Sequence, residues 1–351
     1  AETQSNMFWL DKWRQEMKID CPMAQIINSP IFQSKASLLQ ESQLESVDIP
    51  GLSKPGSRLA LGCDNQTSDL HAFTMFDHFY GSGGRIFDTA FIYNHGRGDK
   101  YLGDWINARN VEEDVIVLGK GAHTPECEPQ YIRPQVLQSL ERLQISKLDI
   151  FCLHRDNPDI PVDEFIDALA DIKNEGLVNL IGASNWEMDR FAEARNYAIT
   201  NAKEPFTVLS NNFSLAEMVE PVWPGCVGVN DHYLKYLIEE RIMLFPWSSQ
   251  ARGFFIQKKE NMSNEHFSNP TLVEEMRVWH YEKNLQRRQV CFEIAQERNV
   301  QPIQVALAYV LHKSKLIFPL IGPRTIFESN SSIQATQLEL TTKELQALAQ
   351  D

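Results

Sequence analysis

The sequence predicts an α/β fold: a (β/α)8 barrel of the TIM type, with an N-terminal hairpin and an extra N-terminal helical segment. Three observations point there. Eight short, apolar, β-rich runs follow one another from Arg58 onward. Longer stretches of helical periodicity separate them. No GxGxxG turn follows the first run, where a doubly wound open sheet usually carries one.

The runs are RLALGC (58–63), IFDTA (86–90), VIVLGK (115–120), DIFCLH (149–154) and VNLIGA (178–183). FTVLSN (206–211), IMLFPW (242–247) and LIFPLI (316–321) complete the set. Helices are predicted over 130–144, 161–175 and 187–199. In the second, apolar residues recur at 162, 165, 166, 169 and 172, and Gly176 supplies a stop. The GSGG at 81–84 precedes a strand, so its glycines read as a helix end. Residues 46–60 (SVDIPGLSKPGSRLA) read as a hairpin plugging the N-terminal end of the barrel. The polar, aromatic stretch 253–285 is an insertion after the seventh run. Long loops of that kind form the functional rim of a barrel. The division expected is an N-terminal extension (1–45) and a barrel domain (46–351).

Composition narrows the function. Apolar residues make up 43% of the 351, charged residues 23%, and the net charge is −14. An acidic chain is a poor nucleic-acid surface, because phosphate binding needs a basic face. No apolar run approaches the roughly 20 residues of a membrane helix. The six cysteines are scattered without a CxxC pair, which reads as a reduced, cytoplasmic protein. A metal-dependent barrel hydrolase would need an H-x-H pair at the first strand; Gly62-Cys63-Asp64 stands there instead, so no metal site is expected.

The chemistry concentrates at strand ends. In GGRIFDTAFIYNHGRGDKYLGDWI, Asp88 ends a strand, Tyr93 follows five residues later, and Asp99, Leu102 and Gly103 complete the pattern. Lys120 ends the third run and His154 the fourth, and IGASN (181–185) closes the fifth. These residues, in this order, resemble the aldo-keto reductase signature. The resemblance runs from about residue 46 to 345. It implies an NAD(P)-dependent oxidoreductase that reduces an aldehyde or ketone, with Asp88, Tyr93, Lys120 and His154 as its catalytic set. Alternation puts Ile86 and Asp88, Leu118 and Lys120, and Ile150, Cys152 and His154 on shared faces. The three polar groups, Asp88, Lys120 and His154, then reach the C-terminal end of the barrel, where barrel active sites sit.

The reaction needs hydride at carbon and a proton at oxygen. A phenol of reference pKa about 10 needs help to exchange a proton near neutrality. Lys120 would stabilise the phenolate of Tyr93, and Asp88 would hold Lys120 charged. His154 would bond the carbonyl oxygen and set its angle.

The resemblance also assigns cofactor positions. Gly62, Cys63 and Asp64 end the first strand, and Ser184 and Asn185 hold the nicotinamide carboxamide. Ser210 or Asn211 stands where the family usually has Gln. Trp247 would stack on the nicotinamide, and Ser248 to Gly253, with Arg252, would take the pyrophosphate. Gly322, Arg324, Glu328 and Ser332 would face the adenosine. Arg324 suits the 2′-phosphate of NADP; Glu328 would repel it and suits NAD, leaving NADP favoured with NAD possible. For the substrate, Asn65, Arg155, Trp186 and the 214–230 loop are expected at the rim. HRDN departs there from the commoner H-x-P-D, and the polar loops suggest a sugar or keto-sugar. Residues 1–45 resemble either the tail of a Gfo/Idh/MocA-type domain, to which the family is sometimes fused, or a helical extension packing on the barrel or on another subunit. A non-catalytic NADP-binding regulatory or channel-associated subunit is the competing function.

Overall fold

The computed structural model describes residues 43–256 and 270–350; the expectations for residues 1–42 and 257–269 lie outside them. The chain opens with an antiparallel hairpin, β1 (Ser46–Val47) and β2 (Gly56–Ser57). Eight parallel strands follow: β3 (Ala60–Gly62), β4 (Ile86–Asp88), β5 (Ile116–Gly121) and β6 (Leu148–Leu153), then β7 (Val178–Ala183), β8 (Val208–Leu209), β9 (Met243–Leu244) and β10 (Leu320–Ile321). Each pairs with the next in chain order, and β10 returns to β3. The remaining seam closes through Leu244, whose N–H donates to Leu316 O and whose carbonyl accepts from Phe318 N. This is the predicted (β/α)8 barrel.

The last three runs form strands of only two residues, shorter than predicted. Two prolines give a reason. Pro246 and Pro319 have no N–H to offer a ladder, though both carbonyls still accept, from Leu320 N and Ala60 N.

Eleven helices lie among the described residues: α1 (Asp69–Gly81), α2 (Arg97–Arg109), α3 (Pro129–Leu143), α4 (Val162–Asn174), α5 (Met188–Thr200) and α6 (Asp231–Glu239), then α7 (Pro270–Val278), α8 (Glu282–Arg298), α9 (Pro302–Lys313), α10 (Ile326–Ala335) and α11 (Thr342–Ala349). The three predicted helices are α3, α4 and α5. The predicted helix end at GSGG is the end of α1, with Ser82 as its C-cap. None of the described helices is long and apolar enough to cross a membrane.

Strand alternation builds two apolar layers. Ile86, Leu118, Ile150 and Cys152 fill the barrel, while Phe87, Val117 and Phe151 face the helices. Complete burial of such a side chain is worth about 1.5–3 kcal/mol. The hairpin seals the lower end as predicted: Ile49, 2% exposed, joins the inner cluster from below. Lys54 fastens the plug. Its ammonium donates to Glu112 O (2.9 Å) and Val115 O (3.0 Å) and pairs with Asp149 at 3.2 Å.

The signature glycine Gly103 has a packing reason. A Cβ there would lie 2.5 Å from Arg142 O on α3, so only glycine lets α2 approach that closely. Asp99 crosses the same interface. Its buried carboxylate accepts from Thr89 Oγ1 at 2.6 Å and Ser139 Oγ at 2.7 Å. It thereby ties α2 and α3 to the residue beside Asp88.

Candidate active site

The upper end of the barrel gathers the four predicted catalytic residues. Asp88 and Lys120 end neighbouring strands and form a buried ion pair, both nearly inaccessible. Lys120 Nζ also donates to Tyr93 Oη at 3.4 Å. Tyr93 opens a 3-10 turn whose next residues, Asn94 and His95, take left-handed φ of 50° and 57°. Asn tolerates that region better than most residues. Its Nδ2 donates to Asp64 O and Gln66 O, which pins the turn to the end of β3. Gly98 lets this turn close, since a Cβ there would sit 2.8 Å from Cys63 O. The His154 ring meets Tyr93 edge-on, with centroids 5.7 Å apart.

Electrostatics set the protonation states. Burial pushes the Asp88 carboxyl up to about 6, against the pull of Lys120. For Lys120, burial favours the neutral amine, but Asp88 and Tyr93 outweigh it and its pKa is raised. At neutral pH the pair is therefore ionised. Burial raises the Tyr93 phenol, and Lys120 opposes the rise without cancelling it. The lowering expected from Lys120 is present, but it is the smaller effect; Tyr93 holds its proton. His154 is driven well below its ordinary value by burial first, then by Lys120 and Arg155. It is a neutral imidazole, and its Nδ1 is buried without a hydrogen-bond partner.

The residues expected around the nicotinamide stand together but are committed to one another. Ser184 Oγ donates to Ser210 O at 2.6 Å. Asn185, at φ +61°, accepts from Val227 N and donates to Ser184 Oγ. Ser210 Oγ donates to Phe245 O. Asn211 takes the bracing role: its Oδ1 accepts from Asn185 N (2.6 Å) and Trp186 N (3.3 Å). Trp247 is half-buried at the end of β9, with its Nε1 unpartnered. It lies 6.2 Å from Trp223, itself 46% exposed. The Cys63 side chain belongs to the layer between strands and helices, so only its backbone is left to face a cofactor.

The segment expected at the phosphates is built from backbone turns. Ser248, Ala251 and Arg252 have left-handed φ of 48°, 47° and 51°. The Arg252 guanidinium pairs with Glu274 at 2.6 Å and lies over the Trp223 ring. It is thus engaged away from the phosphate position expected of it. The N-terminus of α10 is capped by Thr325, and Glu328 Oε2 accepts from Arg324 N at 2.6 Å. Ser332 Oγ donates to Glu328 O and is 3.4 Å from Gln250 Oε1. Gly322 and Asn65 touch: Asn65 Nδ2 donates to Gly322 O, which joins the ends of β3 and β10.

Two expected substrate residues move. Asn65 sits on the β3–β10 seam, its amide bound to Gly322 O. Trp186 is fully buried between Phe165 and Phe206, and its Nε1 donates to Arg155 O. The left-handed step at Asn185 turns the next side chain outward, away from the mouth. Arg155 stays beside His154. A residue unforeseen in the sequence, His123, joins them: its ring lies 4.9 Å from that of His154. Burial lowers its pKa, with Arg155 adding to the effect.

A barrel with an Asp–Lys–Tyr–His constellation at its upper end defines a class of nicotinamide-dependent oxidoreductases. The Aldo/keto reductase family profile matches residues 55–350, and the chain belongs to that family. It is therefore an NAD(P)H-dependent oxidoreductase acting in carbonyl chemistry. Among similar proteins is norsolorinic acid reductase B of Aspergillus parasiticus, 25% identical over 292 residues, covering 79% of this chain and 73% of that one. Another is an aryl-alcohol dehydrogenase [NADP(+)] of Phanerodontia chrysosporium, 25% identical over 304 residues, covering 80% and 76%. The fold matches a thermostable aldo-keto reductase crystallised with the inhibitor epalrestat (TM-score 0.65, 18% identity, 87% of this chain and 99% of that one).

Proposed function

We propose that this protein reduces an aryl aldehyde or ketone to the alcohol, preferring NADPH, with Tyr93 as general acid. One observation carries the reading: a protonated phenol within hydrogen-bond reach of a buried, ionised Lys120–Asp88 pair, beside a neutral His154. The nicotinamide supplies the hydride to the carbonyl carbon. Tyr93 Oη gives its proton to the oxygen as the C=O π bond opens, and Lys120 stabilises the phenolate left behind. His154, being neutral, donates a hydrogen bond to the carbonyl oxygen and orients it.

The residues present suit such a cofactor. The half-buried face of Trp247, the turns at 248–252 and the N-terminus of α10 offer a stacking surface and backbone N–H groups for phosphate. Arg324 is exposed at that terminus and supports NADP. The relative named for NADP(+) supports it too. Trp223, Trp247 and the exposed Ile92 favour an aromatic substrate over a sugar, as do the names of the relatives.

The test is steady-state reduction of benzaldehydes, aryl ketones and aldoses with NADPH and NADH, run alongside Tyr93→Phe. Aryl turnover that is lost in Tyr93→Phe, with NADPH binding kept, is the expected result. Aldose turnover alone would refute the substrate. Cofactor binding without any turnover would establish the regulatory-subunit reading instead.

A further inference from the structure

Among the described residues, Arg155 is a buried cation without a counter-ion. It follows His154 directly at the upper end of the barrel and is 7% exposed. Among the described residues it makes no ion pair. One guanidinium nitrogen donates to His154 O at 2.9 Å, and another reaches only the Cys226 sulfur, at 3.7 Å. Nε has no partner at all. The nearest acid in sequence, Asp156, is taken by Arg190 at 3.0 Å. Removing a guanidinium from water is costly unless an anion or a full set of acceptors compensates. Neither is present.

The position indicates what is missing. Arg155 lies beneath the Trp223–Cys226 turn, where a Cβ on the exposed Gly225 would come 3.7 Å from its Nε. It stands beside the two imidazoles of the mouth, His123 and His154, and its charge is felt at both. The adenosine position lies on another strand end, and of the nicotinamide set Asn185 comes near, its Nδ2 3.4 Å from the His154 carbonyl that Arg155 also uses. A substrate whose carbonyl meets Tyr93 and His154 therefore has this cation beside the rest of its body.

We propose that Arg155 seats an anionic group of the substrate, so that the compound reduced here is a carbonyl carrying a carboxylate. A carboxylate matches the planar fork of the guanidinium and balances its single charge. A phosphate brings a charge of about −1.5 to −2 against one cation. The proposal rests on the carbonyl-reductase reading above and adds the substrate class.

The experiment compares benzaldehyde, the three formylbenzoates and their neutral methyl esters, with NADPH, in the wild type, Arg155→Met and Arg155→Lys. The wild type should favour at least one formylbenzoate over its ester by about tenfold or more in kcat/KM, expressed mainly in KM. Arg155→Met should erase that preference, bringing the formylbenzoate-to-ester ratio of kcat/KM to about one, a ratio that a general effect on turnover leaves unmoved. Arg155→Lys should restore part of it. If Arg155→Met does not fold, the acid–ester comparison in the wild type and Arg155→Lys still decides. Equal use of acid and ester by the wild type overturns the anion seat and leaves carbonyl reduction standing. So does a preference that survives Arg155→Met. Absence of turnover for every compound overturns both.

Discussion

Two clusters, one at each end of the barrel, treat their buried polar groups in opposite ways. At the lower end, Lys54 has three acceptors, and Asp149 is held by both Lys54 and Val117 N. Every polar atom of that cluster is used, and the hairpin is locked. At the upper end, His154 Nδ1, Arg155 Nε and Trp247 Nε1 are buried and unpartnered. Buried polar groups normally find partners, so such a concentration marks groups kept for something that arrives. The lower end stabilises the barrel; the upper end gives up some of that stability to stay ready for ligand.

Substitutions can break this contrast. The largest effect is expected from Tyr93→Phe: carbonyl reduction should fall about a hundred- to ten-thousand-fold. Its melting temperature should hardly move, because among the described residues the hydroxyl makes only one long bond. Retained turnover would remove Tyr93 from the proton-donor role. At the other end, Lys54→Met should cost about 2–4 kcal/mol, since it strands a buried carboxylate. Urea unfolding reads this, and KM for NADPH should stay unchanged.

A pH profile sharpens the comparison. The Asp88 carboxyl lies at about 6, and its ionised form holds Lys120. It works above that value, so kcat/KM should decline as pH falls through about 6. Asp88→Asn should be slow and should lack that acid limb. A limb that persists in Asp88→Asn would assign it to another group. The smallest effect is expected at Glu328, which stands in the first turn of α10, the proposed adenosine end. Glu328→Gln should tighten NADPH by about two- to fivefold and leave NADH unchanged, as read by fluorescence titration.

Much of this was legible before the structure. Ile86, Leu118 and Ile150 share strand faces with Asp88, Lys120 and His154, so strand period alone puts those three at one end, while Tyr93 is placed by the resemblance to the family signature. The hairpin was readable from its turns. What stayed hidden depends on partners distant in sequence or on backbone direction. Trp186 follows a polar strand end and reads as rim; the left-handed Asn185 turns it into the core. Arg252 reads as a phosphate ligand until Glu274 occupies it, 22 residues away. Asn211 braces Asn185 from the next strand, which no local pattern reveals. His123 is a lone histidine in a loop, and only its approach to His154 gives it meaning.

The lower plug bears on where the domain can be cut. The family match begins at residue 55, yet Ile49 and the strand at Ser46–Val47 lie before it, and Lys54 stands one residue outside. A fragment trimmed to the match would expose the floor of the barrel to water and leave Asp149 without its cation. The smallest autonomous unit of this enzyme therefore starts ahead of the segment by which its kinship is recognised.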